Sequence, residues 1–176
     1  MKTLFYIFVI AVTAVGCNTG TTSGGGTNTE ANKARVQAFY DQVINAHNVD
    51  AIDSFCNADF VDHNPDPGHS GKGIDDLKAS FKEFFAGFPD IHAGTDFMVA
   101  EGDTVVAHLT MTGTNSGPMG GMPATNKQSK VDLIDIIVLK DGKASERWGI
   151  FDARSMMQQL GIMPQQGMAQ DTTKKK

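Results

Sequence analysis

The chain has 176 residues, with 15 Lys plus Arg against 20 Asp plus Glu and a formal net charge of −5. This length and a hydrophobic fraction of 40% suit one ordinary core rather than several domains. Mild acidity gives no basic footprint for nucleic acid, and the N-terminal apolar run, Leu4 to Gly16, falls short of the ~20 residues a membrane-spanning helix requires.

Met1-Lys2-Thr3 followed by Leu4 to Gly16 has the layout of a secretory leader: one cation, then a mostly apolar stretch. Ala14-Val15-Gly16-Cys17 resembles a bacterial lipobox, which implies that residues 1–16 form a signal peptide and that Cys17 is lipidated. Each buried acyl methylene adds about 0.8 kcal/mol, so several chains on one cysteine make a stable anchor. The expected location is the bacterial cell envelope, lipid-anchored, at the outer membrane or periplasmic face in a diderm host. Residues 17–29, with Gly24-Gly25-Gly26 among Thr, Ser and Asn, read as a flexible tether. The other cysteine, Cys56, adjoins Phe55 and reads as a small buried hydrophobe.

The folded part is expected over residues 30–163. Ala34, Phe39, Val43 and Ala46 recur at helical spacing and predict a helix from about Glu30 to Asn45. Asn48 to Asp50 breaks it, and a short second helix carries Ile52 and Phe55. Phe60 to Asp62 reads as a brief strand running into a loop that Pro65 and Pro67 stiffen. A third helix, Gly73 to Gly87, sets Ile74, Leu77, Phe81, Phe84 and Phe85 on one face. The pattern then turns to β: Ile91 to Ala100, Thr104 to Thr114, Lys130 to Leu139 and Lys143 to Phe151 predict a four-strand antiparallel meander, with Asp141-Gly142 as a hairpin turn. A helix over Ala153 to Leu160 closes the domain, and residues 164–176 form a tail. The order predicts an α+β fold, a cone-shaped barrel of curved antiparallel sheet wrapped around about three N-terminal helices, with a short C-terminal helix. The open end of such a cone is the default ligand site.

Alternation on the last strand places Ala144, Glu146, Trp148, Ile150 and Asp152 on one face, and Ser145, Arg147, Gly149 and Phe151 on the other. Two carboxylates beside the only tryptophan suit acid/base work, with Asp152 the leading candidate. The other reading, an edge strand in water with Asp152 capping the following helix, stays open. Asp135, inside Leu133-Ile134-Asp135-Ile136-Ile137, is expected to face the cavity, because an unpaired charge among those residues is costly. His63, Asp66 and His69 lie close together, but the intervening prolines and glycine lack regular metal-ligand spacing, so no metal is expected.

Phe60-Val61-Asp62-His63-Asn64-Pro65, Phe88-Pro89-Asp90, Glu101-Gly102-Asp103-Thr104-Val105, Thr112-Gly113-Thr114, Ile134-Asp135-Ile136, Asp141-Gly142-Lys143, Glu146-x-Trp148-x-x-x-Asp152 and Gln159-Leu160-Gly161 occur in this order. From about Ala34 to Gly161 the chain thereby resembles the SnoaL-like polyketide cyclases, or ester cyclases, of the nuclear transport factor 2-like superfamily. The resemblance implies cofactor-free intramolecular aldol-type ring closure, or related lyase/isomerase chemistry, on a hydrophobic carbonyl compound. It assigns acid/base work to Asp152 and a supporting catalytic role to His63, with Asp62, Asn64, Asp135, Glu146, Trp148 and His108 around the substrate. The chain departs from the family where His108 replaces a usual arginine and Asn115 a usual histidine. The expected partners are a small hydrophobic carbonyl-containing ligand, the membrane through the lipid anchor only, and a second copy of the chain against the convex sheet. The competing reading is a non-catalytic small-molecule-binding lipoprotein of the same fold.

Overall fold

The structure, a computed structural model, describes the backbone of residues 26–164 and the side chains of residues 28–164. The leader, Cys17 and nearly all of the expected tail fall outside that span. Helix α1, Gly26–Phe39, begins before the expected Glu30 and runs into a π-helical turn, Tyr40–Asn45. The wider turn buries Tyr40, Val43 and Ile44 together. It also aims Asn45 at the sheet, where its side chain donates to Ala93 O and accepts from Ala93 N. After a 3-10 turn, Val49–Ala51, come α2, Ile52–Phe55, β1, Cys56–Asp62, and α3, Ile74–Gly87. Strands β2, His92–Glu101, β3, Thr104–Thr114, β4, Gln128–Lys140, and β5, Lys143–Phe151, precede α4, Ala153–Gln159. None of these helices is long and apolar enough to cross a membrane.

The curved sheet has five strands, not four, in the order β1-β5-β4-β3-β2. The added strand, β1, lies parallel to β5. Asn57, Ala58 and Asp59 break the apolar alternation of β1, so only its Phe60 end reads as a strand in sequence. Its partner lies more than 80 residues downstream, with Asp62 opposite Arg147.

The sheet's inner face carries Val105, Ala107 and Leu109 of β3 and Val131, Leu133, Ile137 and Leu139 of β4 against Val36, Tyr40 and Ile44 of the helical layer. Full burial of such aliphatic side chains contributes roughly 1.5–3 kcal/mol each. Val43, Ile52, Phe55, Cys56, Phe60 and Leu77 form a second cluster where α2, α3 and β1 meet.

One irregularity decides which β5 side chains point inward. Val138 pairs with Glu146 but the next residue, Leu139, pairs with Ala144, so Ser145 is an extra residue in the ladder. Its hydroxyl donates to Val138 O. A bulge of this kind moves the following side chains to the opposite face. Ala144 and Arg147 therefore both face inward, while Glu146, Trp148 and Ile150 register with Val138, Ile136 and Ile134 on the outer face. The expected single face of Ala144, Glu146 and Trp148 is split by that extra residue.

Candidate functional site

The inward side chains gather around Arg147. Asp62, the last residue of β1, sits beside it in register, and Asp135 of β4 lies opposite Gly149, two residues further along β5. A Cβ at 149 would run into the guanidinium folded back over it, so any side chain there would have to displace Arg147 from its carboxylates. Arg147 Nη1 donates to Asp62 Oδ2 at 2.7 Å, and its Nε and Nη2 both reach Asp135 Oδ1 at 2.8 Å. Tyr40 Oη donates to Asp135 Oδ2 at 3.0 Å, and the Asn64 backbone N–H donates to Asp62 Oδ1 at 2.9 Å. Every oxygen of both carboxylates has a donor, as burial requires. Burial opposes the Arg147 charge, but Asp135 and Asp62 outweigh it and push the guanidinium still further from deprotonation. Burial first, and the Asp135 carboxylate second, push the Tyr40 phenol well above its ordinary value.

Arg147 forms one end of a hollow walled by Phe39, Phe55, Phe60, Phe81 and Leu139. Its free volume is about 30 Å³, room for one or two waters. Phe39 meets Phe55 and Phe81 edge to face, with centroids 5.9 and 6.0 Å apart. Cys56 also lines it, with its thiol pushed up by burial to about 12, so it is an inert wall group. Phe60 and Leu77 separate this hollow from a second, of about 10 Å³, lined by Asp62, Asp66, His69, Asp76 and Ser80.

The remaining predicted site residues lie elsewhere. His63 is stacked on Trp148, with ring centroids 4.1 Å apart, and its Nε2 is 2.8 Å from Glu146 Oε2. That dyad lies on the outer face of the sheet, away from the hollow. His108 is outward too, stacked on Phe97 with its Nδ1 2.9 Å from Asp96 Oδ2. Asn64 is an exposed loop residue whose backbone serves Asp62. Asp152 is exposed, and its Oδ1 accepts the Ser155 N–H at 2.9 Å as the N-cap of α4. The expected apolar enclosure around Asp152 is absent, because β5 ends before it and the carboxylate turns to the open helix terminus. Of the eight predicted catalytic and binding residues, the structure unites Asp62 with Asp135, groups His63 with Glu146 and Trp148, and leaves His108, Asn64 and Asp152 apart.

Sequence reasoning missed Tyr40 and Arg147. Charge counting could have found the second: Asp135 sits in an apolar run and needs a cation, and Arg147 is the one basic residue of β5 beyond Lys143 at its first position. Among the described residues, no group of three or more His, Cys, Asp or Glu side chains is placed to hold a metal ion.

Residues 34–160 match the family model described as SnoaL-like polyketide cyclase. Among solved structures, TsrD from Streptomyces laurentii is similar at 26% identity and a TM-score of 0.69, over 76% of this chain and 97% of that one. A candidate polyketide cyclase from Bacillus cereus ATCC 10987 is similar at 28% identity and a TM-score of 0.65, over 76% and 82%. IdmH from Streptomyces antibioticus, also a candidate polyketide cyclase, shares 25% identity with a TM-score of 0.65, over 74% and 98%. No curated protein matches the chain.

Proposed function

We propose a function from one premise: the chain belongs to the SnoaL-like polyketide cyclase family. It binds a small hydrophobic carbonyl compound inside the cone and moves a proton on it without a cofactor, as in aldol-type ring closure or a related isomerisation. The observation that carries this reading is the Asp62–Arg147–Asp135 cluster at the end of an aromatic-walled hollow. A carbon acid flanked by carbonyls needs a carboxylate to take its proton and a nearby positive charge for the enolate that forms. Asp62, which faces the smaller hollow, is the acid/base group in this reading, and Arg147, which faces the larger one, is the cation. Asp152 drops out of the reacting set. His63 and Glu146 support the Asp62 loop from outside, with the His63 backbone N–H donating to Arg147 O at 2.8 Å. A substrate needs about 300 Å³ or more, so Phe39 and Phe81, the half-buried rings of the wall, must swing aside on binding, and Phe60 and Leu77, the partition between the two hollows, must part to bring Asp62 within reach.

The test compares Asp62→Asn with Asp152→Asn on a panel of β-polycarbonyl compounds. Asp62→Asn should lose turnover and keep ligand affinity, and Asp152→Asn should keep both; the opposite pattern refutes the assignment. A second reading, ligand binding without catalysis, has its own support: both inner carboxylates are saturated by protein donors, as in a structural ion network. Absence of turnover in the wild type across that panel selects it. Lipidation at Cys17 and an envelope location complete the proposal. Release of the Cys17→Ser protein from the membrane fraction is the expected result, and retention there contradicts it. A second copy packed on the outer face is also part of this reading, supported by exposed Phe97, Val99, Ile134 and Ile150.

A further inference from the structure

The hollow's two guanidinium groups have opposite surroundings. Arg147, at the inner end, faces two carboxylates. Arg35 of α1, on the solvent side, has none: its Nε donates to Gly142 O at 3.1 Å, its Nη2 donates to Ser54 O, and the guanidinium lies 4.3 Å from the Phe55 ring centroid. Lys143, next to wall residue Ala144, places Nζ 2.8 Å from the backbone oxygen of Asp53. Among the described residues, neither Arg35 nor Lys143 has a carboxylate within the 4.0 Å of an ion pair. The carboxylate of Asp53, whose backbone oxygen Lys143 contacts, is paired with Lys78 at 2.6 Å. A protein of net charge −5 thus places Arg35 and Lys143, which among the described residues have no ion-pair partner, beside its apolar hollow. Burial dominates at the Cys56 thiol in the wall and raises it, but the charges that act on it most are the cations Lys143, Arg147 and Arg35, which pull the other way.

We infer that the ligand of this hollow is an amphiphilic anion, an apolar body bearing one carboxylate, with the acid group held at the rim by Arg35 and Lys143 and the body among Phe39, Phe55, Phe60 and Phe81. The inference rests on the hollow being the ligand site. The carbonyl oxygens that Arg35 and Lys143 now contact are neutral acceptors, and a carboxylate in their place makes charge-assisted hydrogen bonds, roughly twice as strong. Beyond the rim the wall is apolar except for Arg147 at the inner end, the cation of the proposed reaction, so it suits an apolar body with its reacting carbonyl at the far end. A cationic head group would meet Arg35 and Lys143 at the same rim.

The test is calorimetric binding of decanoate, decan-1-ol and decylammonium to residues 26–164 carried on the full soluble chain with Cys17→Ser. Decanoate should bind about tenfold more tightly than decan-1-ol, the scale of one hydrogen bond to a charged group, and decylammonium more weakly than either. Arg35→Gln with Lys143→Gln should bring decanoate down to the level of decan-1-ol and leave decan-1-ol unchanged, while Ala144→Leu, which fills the hollow, weakens all three. If the paired variant does not fold, the wild type at an ionic strength of about 1 M, where the screening length is ~3 Å, should lose the decanoate preference. Equal binding of the three probes, or a preference that survives both the paired variant and salt, overturns the inference and leaves the hollow as a ligand site. Binding of none of them, or binding indifferent to Ala144→Leu, overturns both.

Discussion

Arg147→Met is the most demanding perturbation of this fold, because it removes one cation and strands two carboxylates. The Asp62 and Asp135 side chains are only 9% and 3% exposed, so neither can turn to water. Removing one partner of a buried ion pair costs about 3–5 kcal/mol, and domains of this size hold roughly 5–15 kcal/mol in total. The variant should therefore lose a fifth or more of its stability, read as the midpoint of urea unfolding at constant slope. An isolated buried carboxylate favours its protonated form in the folded state, so its folded pKa lies above the unfolded value near 4. Such a group contributes stability that is intact below about pH 4 and lost as pH rises through the folded pKa. The Arg147→Met deficit should accordingly be largest at pH 7 and shrink on acidification toward pH 4. Adding Asp62→Asn and Asp135→Asn should recover much of the loss, since an uncharged network of similar volume avoids stranded charges. A deficit under about 1 kcal/mol, the scale of a surface pair, or one equal at pH 4 and pH 7, refutes the view that these three residues form one buried unit.

Three further outcomes follow from the same geometry. Asp152→Ala should lower stability by about 0.5–2 kcal/mol through loss of the helix cap, whereas Asp152→Asn keeps a capping oxygen and should melt within error of the wild type; equal losses in both would mean that the charge, not the cap, is what matters. Tyr40 keeps its proton in the folded chain after the unfolded phenol, with a pKa near 10, has lost it, so its contribution is full below about pH 10 and falls as pH rises further. Tyr40→Phe should flatten that alkaline limb in urea titrations between pH 8 and 11, and an unchanged limb contradicts the assignment. Cys56, with its thiol pushed up to about 12, should resist alkylation at pH 8 in the folded Cys17→Ser protein and react on unfolding; rapid labelling of the folded protein would show that the hollow is open to solvent.

The α+β order, the third helix and strands β2 to β5 were legible because each rests on local periodicity, which the residues themselves display. Asp135 shows why local pattern also located one member of the site: its isolation among Leu133, Ile134, Ile136 and Ile137 marks a charge that must be compensated. What could not be read is non-local. The parallel pairing of β1 with β5 joins Asp62 to Arg147 across 85 residues, and no turn signal announces it. The Ser145 bulge is a single extra residue in an otherwise regular strand, yet it decides the direction of every side chain after it. Strict alternation from Ala144 carried Glu146 and Trp148 into the cone and Arg147 out of it, and with the family motif it pointed to Asp152, which the structure places at the exposed start of α4. Asp152 then needed no buried partner, because the free N–H of Ser155 at the start of α4 satisfies it. The family motif around Glu146, Trp148 and Asp152 is thus met by residues that stabilise the outer face and the final helix, while the charge inside the cone is carried by residues that flank or interrupt the motif. Recognition of the family and location of the chemistry are separate inferences here, and only the second depends on where one extra residue enters a strand.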